Sequence, residues 1–350
     1  MTARRLVHFV VCAGWIACLG VVALTWARPD LAGLSVVQWS PWLVGLFLLG
    51  VPHGAFDHRV DAELRSAEDG GSGPRRNAGP GFYAAYLTAA AAVLAAWFVS
   101  PLAASAGFLI IAAAHFGQGD VYWSRRFGLA ARSTSVGYRV VLWAVRSALP
   151  IALPLLAHPE ELSAASDTLA TRLFGRSSWS VPPRAIGVGL VLILSMMIIQ
   201  ILWAGWLAWK GDRETRRRAI ADVAETLLLA STFAVVPPVL ALGVYFNAWH
   251  SLRHVARLLL IARATRDLVA SDRLLSAFGQ FQRAALPMTT GALALALALG
   301  LVVGRSLVSV VDLGLVALVA LSALTLPHVL VVAWMDARQG VWSPRPDRGL

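Results

Sequence analysis

Ten apolar runs, each close to the length of a bilayer crossing, follow one another along this chain of 350 residues. That pattern leaves few architectures available. A helix needs about 20 predominantly apolar residues to cross a hydrocarbon core of about 30 Å. Lipid solvates no backbone group, so each crossing segment must close its own hydrogen bonds as a helix or join a closed barrel. Runs at about 6–26, 37–57, 81–100, 102–119, 139–157, 185–208, 219–236, 238–260, 285–303 and 309–335 fit the helical solution. Two junctions are weak breaks, one at Pro101 and one at Pro237 and Pro238. The expected fold is therefore all-α, a polytopic integral membrane helical bundle of about 8 to 10 transmembrane helices. With 58% of residues hydrophobic and only 14% charged, no soluble domain is expected.

The net charge of +11 invites a nucleic-acid reading, but the placement of the charges argues against one. Basic residues beside membrane helices report orientation first. With the amino terminus in the cytosol, the ten-run order puts 24 of the 30 Lys and Arg in cytosolic segments and five in outer ones. Arg146 falls inside a run. The expected placement is a multi-pass protein of the cell membrane with both termini cytosolic, in contact with the lipid bilayer and with no nucleic acid.

The first apolar run follows Ala3-Arg4-Arg5 and exceeds the usual signal-peptide core of about 7 to 15 residues, so it is expected to be a retained helix. Cys12 and Cys18, six apart on that helix, are poorly placed for a mutual disulfide and read as small apolar residues. Three segments are expected: 1–36, an N-terminal helix with an outer loop; 37–338, the main membrane domain; and 339–350, a short basic cytosolic tail. The Gly/Ser/Arg-rich stretch "EDGGSGPRRNAGPG" reads as a flexible loop, and Arg216 to Arg218 as residues facing lipid headgroups.

Polarity inside such helices is expensive, and strongly polar groups there are functional candidates by default. In the ten-run order His53, His115, His250, His254 and His328 all fall toward the cytosolic leaflet on four separate helices. His250 and His254, spaced i, i+4 in "NAWHSLRH", project from one face a turn apart and can share one metal. His53 and Asp57 have the same spacing, which lets a carboxylate orient a ligand imidazole. His58 lies one residue off that face. A single histidine in a membrane bundle is ordinarily a hydrogen-bonding partner between helices; the convergence of four or five at one depth is what points to a metal cluster. An all-imidazole site suits iron, copper or zinc, with Asp57 or Asp120 near enough to balance its charge. No HExxH is present, and the composition leaves the choice of metal open.

Four blocks, "VPHGAFDH" (51–58), "AAHFGQGD" (113–120), "NAWHSLRH" (247–254) and "LPHVLVVAWMD" (326–336), resemble in that order the motifs of the bacteriorhodopsin-related protein (Brp) and Blh family of β-carotene 15,15'-dioxygenases. The resemblance spans residues 38 to 336. It implies an integral membrane, non-haem Fe(2+) enzyme that cleaves β-carotene at its central double bond with O2, giving two all-trans-retinal. It also implies that iron is held by His53, His115, His250 and His254. Asp57, His58, Asp120 and His328 are then additional or supporting residues, and no catalytic residue is expected beyond the metal site. A functional link to a retinal-binding rhodopsin is left open.

Rival readings use the same residues. A transporter or a proton or metal-ion relay can employ membrane histidines, although here they cluster at one leaflet instead of lining a path. A di-iron desaturase or hydroxylase needs HxxHH clusters, and no adjacent His pair is present. A bis-His haem protein and a dioxygenase acting on another carotenoid or apocarotenoid complete the set.

Overall fold

The computed structural model describes residues 2–68, 78–132, 135–161, 182–303 and 310–343, with 163, 164, 167 and 171. The centre of the Gly/Ser/Arg-rich stretch (69–77) and most of the basic tail (344–350) lie outside the described residues. Among the described residues every regular element is helical. In chain order the principal helices are α1 (Thr2–Ala27) and a long run, α2, made of Ser35–Gly45, a π-helical Leu46–Gly50, Val51–Ala55 and Asp57–Glu68. They continue with α3 (Pro80–Val99), α4 (Pro101–Phe127), α5 (Val136–Ala157), α6 (Pro183–Lys210) and α7 (Arg213–Val235). Next comes α8, composed of Pro238–Val244, a π-helical Tyr245–Ser251 and Leu252–Ile261, and then α9 (Arg263–Ala270), α10 (Leu274–Val303) and α11 (Val310–Arg338).

All ten apolar runs fall on these helices. Prolines mark several starts, because the first-turn N–H has no intrahelical partner to lose: Pro80, Pro101, Pro183 and Pro238 each open a helix. Eight helices among the described residues are long and apolar enough to cross a membrane. The runs at 219–236 and 238–260 are helical but fall outside that set, the first carrying Asp222 and Glu225, the second Asn247, His250, Arg253, His254 and Arg257. The molecule is thus an all-α, multi-pass membrane protein. The first turn of α7 is polar: Asp212 caps it by accepting from the Thr215 N–H at 2.8 Å. Hydrogen bonds from Arg217 and then Arg218 hold the exposed Glu214 carboxyl down to about 2.

The chain forms two compact units. The first comprises Met1–Val10, Val44–Ile111 and Ser251–Met335. In it α10 packs on the Val51–Ala55 segment of α2, and α9 packs on α10. Phe56 lies 5.0 Å from Phe281 between ring centroids, and the Trp97 indole on α3 donates to Ser322 on α11 at 2.7 Å. Hydrogen bonds between membrane helices contribute on average roughly 0.6 kcal/mol, so close packing must do most of the holding.

The second unit comprises Val11–Leu43, Ala112–His250 and Asp336–Leu350. Here α5, α6 and α7 pack on one another around Val121, Leu129, Tyr138, Leu142, Ala204 and Ala219. Small residues set the approach of helices, as is usual where lipid offers no hydrophobic drive to associate. A Cβ at Gly117 would meet the side chain of Ser147 and would lie 2.7 Å from the Trp143 carbonyl oxygen. At Gly243 it would lie 2.8 Å from Nε1 of Trp42. The outward faces of α6 expose Val188, Val191, Leu192, Ile198, Ile199 and Leu202. A patch of that extent marks a membrane or partner surface in a soluble protein; on a membrane helix it is the lipid side.

Candidate metal centre

In the first unit, three buried imidazoles come together from α2, α8 and α11. Ring centroids of His53 and His328 are 4.9 Å apart, and His254 lies 5.3 Å from each. The sequence explains how α2 presents its histidine. Pro52 has no N–H, so the carbonyl of Leu48 loses its helical donor; the Gln282 side chain on α10 donates to that oxygen at 2.5 Å. The adjoining π-helical turn widens the helix, a distortion frequent at functional sites. His53 Nδ1 lies 2.9 Å from the Leu49 carbonyl oxygen. A carbonyl only accepts, so the Nδ1 carries the proton and the Nε2 keeps its lone pair. His328 Nδ1 lies 2.9 Å and 3.1 Å from the two carboxylate oxygens of Asp57, which in turn accepts from the Tyr86 hydroxyl at 3.4 Å. His328 therefore also carries its proton on Nδ1 and its lone pair on Nε2. The absence of a side chain at Gly54 leaves room for that ring, since a Cβ there would lie 3.6 Å from His328 Nδ1.

In the second unit, His115 on α4 and His250 on α8 face each other with Nε2 atoms 3.2 Å apart and centroids 4.8 Å apart. His250 stacks on Phe246 and meets Phe116 edge-on at 4.7 Å. A Cβ on Gly119 would lie 3.4 Å from His250 Nδ1. Two features shape the π-helical turn that carries His250. Asn247 donates to the carbonyls of Pro41 at 2.6 Å and Gly243 at 2.8 Å. Trp249, fully buried, donates to the Asp120 carboxylate at 3.0 Å and 3.3 Å.

The donor set can be tested against a metal. Nitrogen ligands about 2.0 to 2.1 Å from a common ion place imidazole centroids about 5 Å apart. The three rings of the first unit and the two of the second each have that spacing. Where the partner of Nδ1 is a carbonyl or a carboxylate, Nε2 is left as the donor, the arrangement by which proteins orient ligand histidines. The residues fit a first-row metal that accepts imidazole.

Of the residues chosen from sequence, the first unit gathers His53, His254, His328 and Asp57, and the second gathers His115, His250 and Asp120. His58 stands apart: its Nδ1 faces the Ala55 carbonyl oxygen at 2.9 Å, and its aromatic neighbour is Phe56. Sequence reasoning gave no role to Tyr86, Trp249 or Arg146. For Arg146 a signal was present, since a lone arginine within an apolar run requires a counter-charge.

Buried imidazoles at metal-sharing spacing on apolar helices define a multi-pass membrane protein with a candidate metal site. Comparison with known proteins narrows the class. The family model for beta-carotene 15,15'-dioxygenase matches residues 44–336. The probable beta-carotene 15,15'-dioxygenase Blh of Halobacterium salinarum is 33% identical over 342 residues, covering 97% of this chain and 95% of that protein. The probable beta-carotene 15,15'-dioxygenase Brp of the same organism is 28% identical over 329 residues, covering 89% and 88%. No solved structure matches the chain closely. The chain belongs to the beta-carotene 15,15'-dioxygenase family and is an oxygenase. The family suggests a metal cofactor, and the imidazole spacings within each unit suit one.

Proposed function

We propose that this chain cleaves β-carotene at the central 15,15' double bond with O2, giving two molecules of all-trans-retinal, at a non-haem Fe(2+) held by His53, His115, His250 and His254. The observation that carries this reading is the spacing of the imidazoles, combined with a family whose relatives are named for that reaction. His328 is proposed as a further ligand. Its support is a ring spacing equal to that of its neighbours and a carboxylate behind its Nδ1.

The reaction balances without an added reductant: C40H56 and O2 give two C20H28O, one oxygen atom ending on each aldehyde. Ferrous iron supplies the capacity to bind and activate dioxygen, which zinc lacks. The chain's own residues do the rest. Asp57 fixes the His328 ring through Nδ1, and the Leu49 carbonyl fixes that of His53. Apolar helix surfaces admit from the bilayer a polyene that is almost insoluble in water, and fixing that substrate beside the metal determines which bond is cut. No protein acid or base is required. The site is proposed to lie in the cell membrane near the cytosolic leaflet, with the N-terminus cytosolic.

Expression in a bacterial host that accumulates β-carotene tests the reading. Loss of orange colour with retinal as the extracted product is expected. Intact β-carotene, with the protein confirmed in the membrane and iron supplied, contradicts it and favours another carotenoid or a transport role.

A further inference from the structure

Arg146 lies within the apolar helix α5 and is 1% exposed. A buried guanidinium is tolerated only when opposite charges and hydrogen-bond acceptors surround it. Its Nη1 lies 3.6 Å from the Asp120 carboxylate on α4. Its Nη2 lies 3.5 Å from the Glu225 carboxylate and donates to the Asp222 carbonyl at 3.2 Å, both on α7. One side chain thereby gathers three helices of the second unit. The cleavage reaction gives it no task.

What Arg146 holds is informative. Asp120 is the acceptor for the Trp249 indole N–H, and Trp249 immediately precedes His250 in the π-helical turn. The Trp249 ring has little freedom, since a Cβ at Gly14 would lie 3.0 Å from it. Gly119, next to Asp120, closes against the His250 ring. Helix α4 therefore grips residue 249 and abuts residue 250, while also carrying His115.

We propose that Arg146 is a positioning residue for the metal centre: by holding the Asp120 carboxylate against the Trp249 indole, it sets the rotation of the π-helical turn and hence the approach of His250 to His115. The inference rests on the reading of His115 and His250 as metal ligands. A neighbouring polar cluster on α5, α6 and α7 provides the structural control. Asp222 accepts from Gln200 at 2.7 Å and from Tyr138, and Thr226 donates to Gln200 at 2.9 Å. None of those bonds involves Asp120 or Trp249.

The test uses the full chain in detergent, stripped of metal and titrated with cobalt(II), following affinity and the visible ligand-field spectrum beside steady-state retinal formation. Arg146→Gln is expected to lower cobalt affinity about 10- to 100-fold, as loss of outer-shell support does, and to reduce kcat with KM unchanged. Arg146→Lys should recover part of both, keeping the charge but losing the fork that reaches two helices. Gln200→Leu should lower the melting temperature while leaving cobalt affinity and spectrum at wild-type values. If Arg146→Gln does not accumulate, Trp249→Phe decides, because it leaves every charge in place while removing the indole donor together with part of a packed ring; a loss of cobalt affinity that the destabilised Gln200→Leu does not show is expected. Wild-type cobalt affinity and spectrum in Arg146→Gln, or in Trp249→Phe, overturns the proposal. A wild-type chain that binds no cobalt overturns the metal reading itself, and this inference with it.

Discussion

His328 differs from His53 in what stands behind it. The Nδ1 of His53 meets a backbone carbonyl, whereas that of His328 meets the Asp57 carboxylate. A carboxylate partner makes an imidazole more electron-rich and fixes its orientation, and losing such a partner typically weakens metal affinity about 10- to 100-fold. Asp57→Ala should therefore lower iron affinity within that range without preventing insertion, and His53→Ala, His115→Ala, His250→Ala or His254→Ala should each abolish cleavage and deplete bound iron. Metal analysis of the purified variants checks both statements; wild-type iron in Asp57→Ala, or iron and activity retained in any two of the histidine variants, contradicts them. Although the Nδ1 of His53 meets Leu49 instead of Asp57, and His250 and His254 meet different imidazoles, at this scale the i, i+4 spacings themselves were legible. The contact of Asp57 with His328 was not, because it joins helices far apart in sequence, and periodicity says nothing about which helices become neighbours.

Two glycines in the histidine blocks have different reasons to be small. Gly117 sits where α4 crosses α5, and an added methyl would press on a backbone carbonyl that cannot move away. Gly54 has ordinary contact space, with 3.6 Å to the His328 ring. Overpacking of a close approach costs roughly 1 to 3 kcal/mol, so Gly117→Ala should lower the melting temperature in detergent markedly and Gly54→Ala only slightly. Equal effects would refute the distinction. Sequence showed only that both glycines flank histidines. The π-helical turns before Pro52 and around His250 were equally hidden. The hydrophobic pattern locates a helix, while the extra residue in its turn follows from tertiary partners such as Gln282 and Asn247 that accommodate the displaced carbonyls.

For the whole molecule, apolar length alone revealed the class of fold, since a bilayer permits so few alternatives. It was less informative about α7 and α8, where buried polar residues dilute the signal. The distribution of arginines predicts both termini in the cytosol. Reporter fusions at residues 1 and 350 should both report cytosolic placement, and a periplasmic signal at either end would contradict that orientation.

The central claim, that membrane-helix imidazoles hold a ferrous ion that cleaves β-carotene at its centre, is tested most directly by stoichiometry with the purified chain. Metal-stripped protein in detergent would be loaded with Fe(2+) or with Zn(2+) and given β-carotene and O2, and the products would be separated by chromatography. The account predicts two retinal molecules per β-carotene consumed with iron and none with zinc. Equal activity with zinc, longer apocarotenals as the main products, or intact β-carotene in the presence of bound iron would contradict it.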